Sequence, residues 1–147
     1  MNMRQQVYFE DVKEGENLPT GYSLHLDALR WHLQTSGTQD YHRQHHDLEF
    51  ARKQGQPNVF LNTGFYHAAL SRVVTDWMGD EGWLQKFNMQ MRKMNFPGDT
   101  LTVKGKVTKK YVKDGKGHVD CEIWAENQRE GITTPGSATV VLPMRAP

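Results

Sequence analysis

The 147-residue sequence has little of three features that would fix its class at once: cysteine, charge of one sign and long apolar runs. Its one cysteine, Cys121, excludes a disulfide within the chain and is compatible with a reducing compartment. The 18 Lys and Arg residues are balanced by 17 Asp and Glu residues, which leaves a formal net charge of +1. That balance gives no reason to expect a nucleic-acid partner.

Long uncharged stretches are equally scarce. The longest one extends from Gln54 to Ser71, and it contains two Gln, two Asn, one His and one Pro. Burying these groups in hydrocarbon would be costly, so the stretch does not predict a membrane span. The first residues, MNMRQQVYFEDVKEG, carry charges where a secretory signal needs an apolar segment. We therefore expect a soluble, cytoplasmic protein with no membrane partner.

No repeat, low-complexity tract or Pro/Ser-rich linker divides the chain, which predicts one domain over residues 1–147. Three helices are predicted in its first half. Asp27 can cap a helix that ends at Gly37. Asp47 can cap a second helix that ends at Gly55. A third and longer helix ends at Gly79 and has an apolar stripe with a spacing of four: Phe65, Ala69, Val73 and Trp77.

The second half alternates apolar and polar residues with the period of two that is typical of β-strands. About four strands are predicted, in WLQKFNMQMRKMNF, LTVKGKV, VDCEIWA and SATVVLP, with turns at FPGD (96–99) and KDGK (113–116). Helices followed by antiparallel strands predict an α+β domain in which one long helix packs on a curved sheet. A sheet covered on one face by a helix leaves another surface to bury, so homodimerisation is expected.

The stretch SGTQDYHRQHHDLEFA (36–51) places three histidines and two aspartates within eight positions. His42 and His46 are four positions apart, and on a helix both imidazoles would face one metal ion. A third ligand would come from Asp40, His45 or Asp47. The helix, however, is expected to begin only at Asp47, and no second motif such as HExxH or CxxC occurs in the sequence. We therefore predict no metal site.

The same cluster has two other interpretations. Asp40 and His45, five positions apart, can converge on one water molecule if the residues between them form a turn. An acid–base pair of this kind suits the addition of water across a double bond. Alternatively, Asp40 caps a turn and the histidines face solvent. The residues alone leave both interpretations open.

The pattern D-x(4)-H-x-D-x-E-F-A-R, from Asp40 to Arg52, resembles the hydratase motif of the MaoC-like, (R)-specific enoyl-CoA hydratases, which have the hot-dog fold. The segments YFEDVKEGENLP, TDWMG, MRKMNFPGDTLTVKGKV and ATVVLP resemble other elements of that family in order and spacing. The resemblance spans nearly the whole chain. It implies a single hot-dog domain, in which a curved antiparallel sheet wraps around one long central helix.

The resemblance also implies a reaction, with Asp40 and His45 as a catalytic dyad that adds water to a trans-2-enoyl thioester and gives a (3R)-hydroxyacyl product. His45 would be the base that activates water. Asp40 would orient the water or exchange the proton at the α-carbon. The family motif runs roughly S-G-D-x-N-P-x-H, so His42 stands here in place of its Asn. This substitution alters the turn that sets the geometry of the dyad.

A second family element is the backbone donor for the thioester carbonyl, at the start of the long helix. The residues that match it are Leu61, Asn62, Thr63 and Gly64, and the donor would be the N–H of Thr63 or Gly64. Amides at a helix N-terminus carry partial positive charge and stabilise an enolate oxygen. Asn62 and Thr63 can also cap the helix, and the two roles are compatible.

The resemblance implies no metal or redox cofactor. Coenzyme A would enter only as part of the substrate, an acyl-CoA from fatty-acid or steroid side-chain metabolism. The partners implied are a second copy, in a homodimer or higher homo-oligomer, or a homologous subunit. Two alternatives to the hydratase stay open. One is a hot-dog acyl-CoA thioesterase, in which a carboxylate directs water to the carbonyl carbon. The other is a non-catalytic subunit of a heteromeric hydratase.

Overall fold

The computed structural model of the protein describes residues 5–145; residues 1–4 and 146–147, which the predicted domain over 1–147 includes, lie outside this range. Two 3₁₀ turns, Phe9–Asp11 and Arg43–His45, accompany the regular elements. In chain order these elements are β1 (Tyr22–His25), α1 (Ala28–Thr38), α2 (Leu48–Lys53), α3 (Thr63–Met78), β2 (Trp83–Met89), β3 (Thr100–Lys113), β4 (Lys116–Asn127) and β5 (Gly131–Leu142).

Within the described range, five strands form one antiparallel sheet in the order β1-β3-β4-β5-β2. The register shifts between Val107 and Lys109 in β3 and between Ala125 and Glu126 in β4. Such bulges increase the local twist and bend the strand. α3 packs against β2, β3, β4 and β5, so the curled sheet surrounds this helix. The predicted α+β arrangement of one long helix on a curved sheet is confirmed.

The core lies between α3 and the concave face of the sheet. In β4 the predicted inward residues Val119, Cys121, Ile123 and Ala125 are all buried. Burial of one Val or Leu side chain contributes about 1.5–3 kcal/mol, so this alternation sets which face of the strand points inward. The stripe of α3 is wider than predicted, because buried Tyr66, Leu70 and Val74 lie beside Ala69, Val73 and Trp77.

Capping side chains precede α1, α2 and α3. Carboxylate oxygens of Asp27 and Asp47 accept the backbone N–H groups of the residues three positions on, at 2.9 and 3.0 Å. Asn62 caps α3 in the same way, with 2.8 Å between its Oδ1 and the next-turn N–H. The prediction that α1 ends at Gly37 is wrong. The helix continues through Gly37 to Thr38, and its C-cap is Gln39, whose φ of 56° is left-handed.

The sequence predicted about four strands, and β1 is the strand it missed. β1 has four residues and pairs with β3, with Leu24 opposite Leu101 and Tyr22 opposite Val103. Four residues show too little alternation to be told from a turn-rich segment. Between residues 5 and 145, no helix combines the length and the apolar character needed to cross a membrane.

Candidate active site

The predicted dyad is assembled at the end of α1. The left-handed Gln39 reverses the chain, and Asp40 follows it directly. Oδ1 of Asp40 accepts the N–H of His42 at 3.2 Å, as in an Asx turn. The 3₁₀ turn Arg43–His45 then brings the ring of His45 back, so that its Nε2 lies 3.3 Å from Oδ2 of Asp40. The turn on which the acid–base interpretation depends is therefore present.

The two members of the pair differ in exposure. His45 is 8% exposed, whereas the side chain of Asp40 is 40% exposed. Nδ1 of His45 lies 2.8 Å from the carbonyl oxygen of Phe60. A carbonyl only accepts, so we assign the ring hydrogen to Nδ1, which leaves Nε2 facing Asp40. At 3.3 Å the two acceptor atoms are close enough to contact the same water molecule, which is the arrangement that acid–base chemistry on that water needs.

The other two histidines of the cluster are exposed. Nδ1 of His42 accepts the N–H of Gln44 at 3.3 Å and so caps the 3₁₀ turn. His46 follows the turn without entering the pair. Over residues 5–145, no group of three or more His, Cys, Asp or Glu side chains is placed to hold a metal ion.

The segment that accepts the hydrogen bond from His45 leads directly into α3, because Phe60 lies two residues before its cap, Asn62. Asn62 is fully buried, and its Oδ1 accepts a hydrogen bond from the N–H of Phe65. Thr63 and Gly64 are exposed, and helix geometry leaves their N–H groups without acceptors inside the helix. These two amides are available to a ligand oxygen, while Asn62 acts as the cap that orients them.

Sequence analysis missed two buried amides beside the site, Gln34 and Asn95. Nδ2 of Asn95 donates to Oη of Tyr66 at 2.6 Å, and its backbone oxygen accepts the N–H of Leu61 at 3.1 Å. Burial raises the pKa of Tyr66 to about 12, so this hydroxyl stays protonated at neutral pH. The only signal in the sequence was an amide side chain inside a predicted helix (Gln34) or a predicted strand (Asn95). That signal does not identify a partner.

The cavities of the chain do not all bear on this site. Spaces of about 490 and 500 Å³ lie along β1–β3 and along β2–β5, and neither Asp40 nor His45 lines them. A smaller cavity of about 330 Å³ lies between α1 and Tyr41, next to Asp40 in the chain, and Trp31 and Thr35 contribute to its wall. Asp40 and His45 do not line this cavity either, so the cavities do not locate the bound acyl group.

No protein-family model matches the chain. A curated relative, the 3-oxo-4,17-pregnadiene-20-carboxyl-CoA hydratase beta subunit of Mycobacterium tuberculosis, is 32% identical over 71 residues, which are 48% of this chain. The matched stretch spans 55% of the length of that subunit, or about half of it.

Solved structures agree over much more of the chain. The ChsH1-ChsH2 complex from Mycobacterium tuberculosis contains a chain with a TM-score of 0.78 and 24% identity, covering 89% of this chain and 98% of that one. The R-hydratase PhaJ1 from Pseudomonas aeruginosa has a TM-score of 0.80 and 17% identity, covering 95% and 88%. MaoC-like dehydratases share the same fold. The hot-dog fold and the resemblance to MaoC-like hydratases are thereby confirmed; the roles of Asp40, His45, Asn62, Thr63 and Gly64 stay predictions.

Proposed function

We propose that this chain hydrates the double bond of a trans-2-enoyl-CoA, or catalyses the reverse dehydration, with Asp40 and His45 as the acid–base pair. The observation that carries the proposal is the 3.3 Å approach of His45 Nε2 to Asp40 Oδ2. A second feature supports it. The Nδ1 side of the same ring is fixed to Phe60, two residues from the cap of α3. The ring of the proposed base is thus fixed to the segment that leads into the two helix-terminal amides.

The proposed reaction proceeds in two proton transfers. Nε2 of His45 takes a proton from water as the water oxygen bonds to C3 of the enoyl group. The π electrons move toward the thioester carbonyl and form an enolate. The Asp40–His45 pair then returns a proton to C2, which gives the 3-hydroxyacyl thioester and restores the pair.

The enolate oxygen would lie at the N-terminus of α3, where the N–H groups of Thr63 and Gly64 donate to it. One such preorganised donor is worth about 100-fold to 1,000-fold in rate. No metal ion is needed for this scheme, because the helix amides supply the positive potential. Coenzyme A is part of the substrate and not a cofactor.

The relatives support a coenzyme A thioester as the substrate class, since the curated one is named as a hydratase subunit for a pregnadiene carboxyl-CoA. The acyl group can be a fatty acyl chain or a polycyclic group, and experiment must distinguish the two. The first test is therefore a panel of enoyl-CoAs: crotonyl-CoA, a long-chain enoyl-CoA and one with a polycyclic acyl group. Loss of enoyl-thioester absorbance with formation of a 3-hydroxyacyl-CoA supports the proposal.

Product analysis separates the hydratase from a hot-dog thioesterase. A thioesterase releases free coenzyme A, which a thiol reagent detects, whereas hydration leaves the thioester intact. Free coenzyme A in amounts equal to the substrate consumed would overturn the hydratase proposal.

A second candidate function is that of a subunit that is active only with a partner. Leu29 and Leu33 lie on one face of α1, and both are exposed, as is Tyr41 beside the dyad. Exposed apolar patches of this kind mark interaction surfaces. We propose that the chain functions as a homodimer or as a pair with a homologous hot-dog subunit. Activity that appears only when a homologue from the same organism is added favours the second arrangement.

A further prediction concerns Gly64, the second residue of α3. A Cβ atom at this position would lie 2.9 Å from Cγ2 of Thr38 on α1, which is closer than normal contact. We expect Gly64→Ala to displace the first turn of α3 from α1 and to lower kcat by about 10-fold, because small misplacements of binding groups are costly. The measurement is kcat and KM with the best substrate of the panel.

The matched variant for this test is Thr38→Ser. It removes Cγ2 but keeps Oγ1, which accepts a hydrogen bond from Nδ2 of Asn62 at 2.5 Å. Combined with Gly64→Ala, it should restore part of the lost kcat, because Cβ of Thr38 would still lie 3.2 Å from the new methyl group. No recovery in the double variant would mean that the loss has a cause other than this contact.

A further inference from the structure

Gln34 is a polar side chain in a buried position on α1, between the two halves of the site. It is 2% exposed. Its Nε2 donates to the carbonyl oxygen of His45 at 3.4 Å, and its Oε1 accepts the N–H of Asn62 at 2.9 Å. One amide therefore contacts the residue that carries the base and the residue that caps α3.

The His45 side of this contact is reinforced by a second donor from α1. Nε1 of Trp31 donates to the same carbonyl oxygen at 2.8 Å. With both lone pairs of that oxygen engaged, the backbone at His45 is fixed to α1. The ring of His45 is fixed separately by its hydrogen bond to Phe60.

The Asn62 end of the contact is also held by a second residue of α1, Thr38. Oγ1 of Thr38 donates to the backbone oxygen of Gln34 at 2.6 Å and accepts Nδ2 of Asn62 at 2.5 Å. This contact sets the orientation of the Asn62 amide, so that its oxygen faces the N–H of Phe65. The first turn of α3 is thus held against α1 by the side chains of Gln34 and Thr38.

We propose that Gln34 is a positioning residue that holds His45 and the N-terminus of α3 in a fixed relation to each other. Its role in catalysis rests on the proposed function, since it acts only through these two groups. Glutamine is suited to this position because it offers a donor and an acceptor on one planar group. Glutamate of the same shape keeps the acceptor toward Asn62 and loses the donor toward His45. Methionine loses both.

The test measures both ends of the contact in the same protein by NMR. The reporters are the imidazole nitrogen shifts of His45 and the hydrogen-exchange rates of the Asn62 and Phe65 amides. Gln34→Met should change both reporters. Thr38→Val, the matched control on the same helix, should change only the Asn62 end. Gln34→Glu, measured at mildly alkaline pH, should change only the His45 end, and it tests the proposal if Gln34→Met does not fold.

Changes at both ends in Gln34→Met, or at the His45 end alone in Gln34→Glu, support the proposal. A Gln34→Met protein in which only one reporter changes, or neither, overturns it. These readouts do not depend on turnover, so an inactive wild type with coupled reporters would overturn the proposed function and leave this inference standing.

Kinetics supply the catalytic half of the test in an active wild type. We expect Gln34→Met to lower kcat by about 10-fold to 100-fold, because the base and the carbonyl donors lose their relative alignment. KM should stay within about twofold, since the displaced donors act mainly on the enolate oxygen of the transition state and the substrate-binding residues themselves are kept. An unchanged kcat would overturn the positioning role. So would a loss confined to KM.

Discussion

Replacement of His45 by alanine is expected to lower kcat for enoyl-CoA hydration by at least about 100-fold, as is replacement of Asp40 by asparagine. The first change removes the Nε2 atom that lies 3.3 Å from Asp40 Oδ2. The second keeps the shape of the side chain and an oxygen that can accept the N–H of His42. An amide cannot take up or release the proton, so only the chemistry is lost. Absorbance of the enoyl thioester measures both.

The two variants should also be non-additive. Groups that act on one proton lose their joint function when either is removed, so the double variant should be no slower than the slower single variant. An additive loss would mean that Asp40 and His45 act at separate steps. It would contradict the proposal that the two side chains act together on one water molecule.

His46→Ala is the control for this pair. It removes an imidazole at the adjacent position, which is exposed, whereas His45 is buried. Its kcat should stay within about twofold of wild type, as for most exposed substitutions away from a site. His45→Ala also deletes the hydrogen bond to Phe60, so its melting temperature must be compared with that of wild type. Near-normal activity in both dyad variants, with a folded protein, would show that the cluster is not the catalytic centre.

Local chemistry explains which parts of the fold were predictable. The caps at Asp27 and Asp47 and the cap at Asn62 depend on side chains within three residues of the groups they bind. The end of α1 was not predictable in this way. Gly37 is a normal stop, but the helix extends past it because Thr38 bonds to Gln34 within the helix and to Asn62 from α3. That second partner is 24 residues away.

The strand β1 shows the same limit in the sheet. Its four residues are defined by pairing with β3, far along the chain, and by the hydroxyl of Tyr22, which donates to the carbonyl oxygen of Ala69 at 2.9 Å. Period-two alternation cannot be established over so short a segment. The long strands β3, β4 and β5 were predictable because each buries alternate residues over many positions.

In the site, residue types and spacing left two interpretations of Asp40 and His45 open, and the resemblance to MaoC-like hydratases selected the dyad. The structure brings the two side chains to within 3.3 Å. Sequence reasoning did not find Gln34, whose side chain accepts the backbone N–H of Asn62, 28 residues away. It did not find Asn95 either, which contacts Tyr66 from 29 residues away. The role of a buried amide is set by what surrounds it in three dimensions, and a single sequence carries no record of that.

Replacement of Arg129 by methionine is expected to lower the free energy of unfolding by about 2 kcal/mol. This is less than the loss of about 3–5 kcal/mol for a fully buried ion pair, because the Arg129 side chain is 38% exposed and solvent screens it. Nε and Nη2 of Arg129 donate to the two carboxylate oxygens of Asp99, both at 2.7 Å. The side chain of Asp99 is 5% exposed, so the variant leaves a buried carboxylate without its cation. The N–H of Phe96 and the amide of Gln128 still donate to it, which limits the loss. Urea unfolding at neutral pH measures the change.

The pH dependence provides a second signature of the same pair. Burial raises the pKa of Asp99, but hydrogen bonds from Arg129 and the N–H of Phe96 outweigh burial and hold it below its usual value. A lowered pKa stabilises the fold above the unfolded-state value of about 3.9, and this stabilisation is lost as the pH falls through the folded-state value. The difference in unfolding free energy between wild type and Arg129→Met should therefore become smaller as the pH falls toward the folded-state pKa of Asp99 in wild type.

Arg145→Met is the matched control for burial. Arg145 makes a bidentate contact with the carboxylate of Asp11, at 2.7 and 2.6 Å, on the surface. Both side chains are about half exposed, so solvent screens the pair and its removal should cost far less free energy of unfolding.

Asp99 also lies within 3.5 Å of Asn127, which donates to Asn95 at 2.6 Å, and the backbone oxygen of Asn95 accepts the N–H of Leu61. If the two arginine variants lose equal stability, burial of Asp99 is not the cause. In that case the polar cluster that supports the entry to α3 contributes less than its contacts suggest.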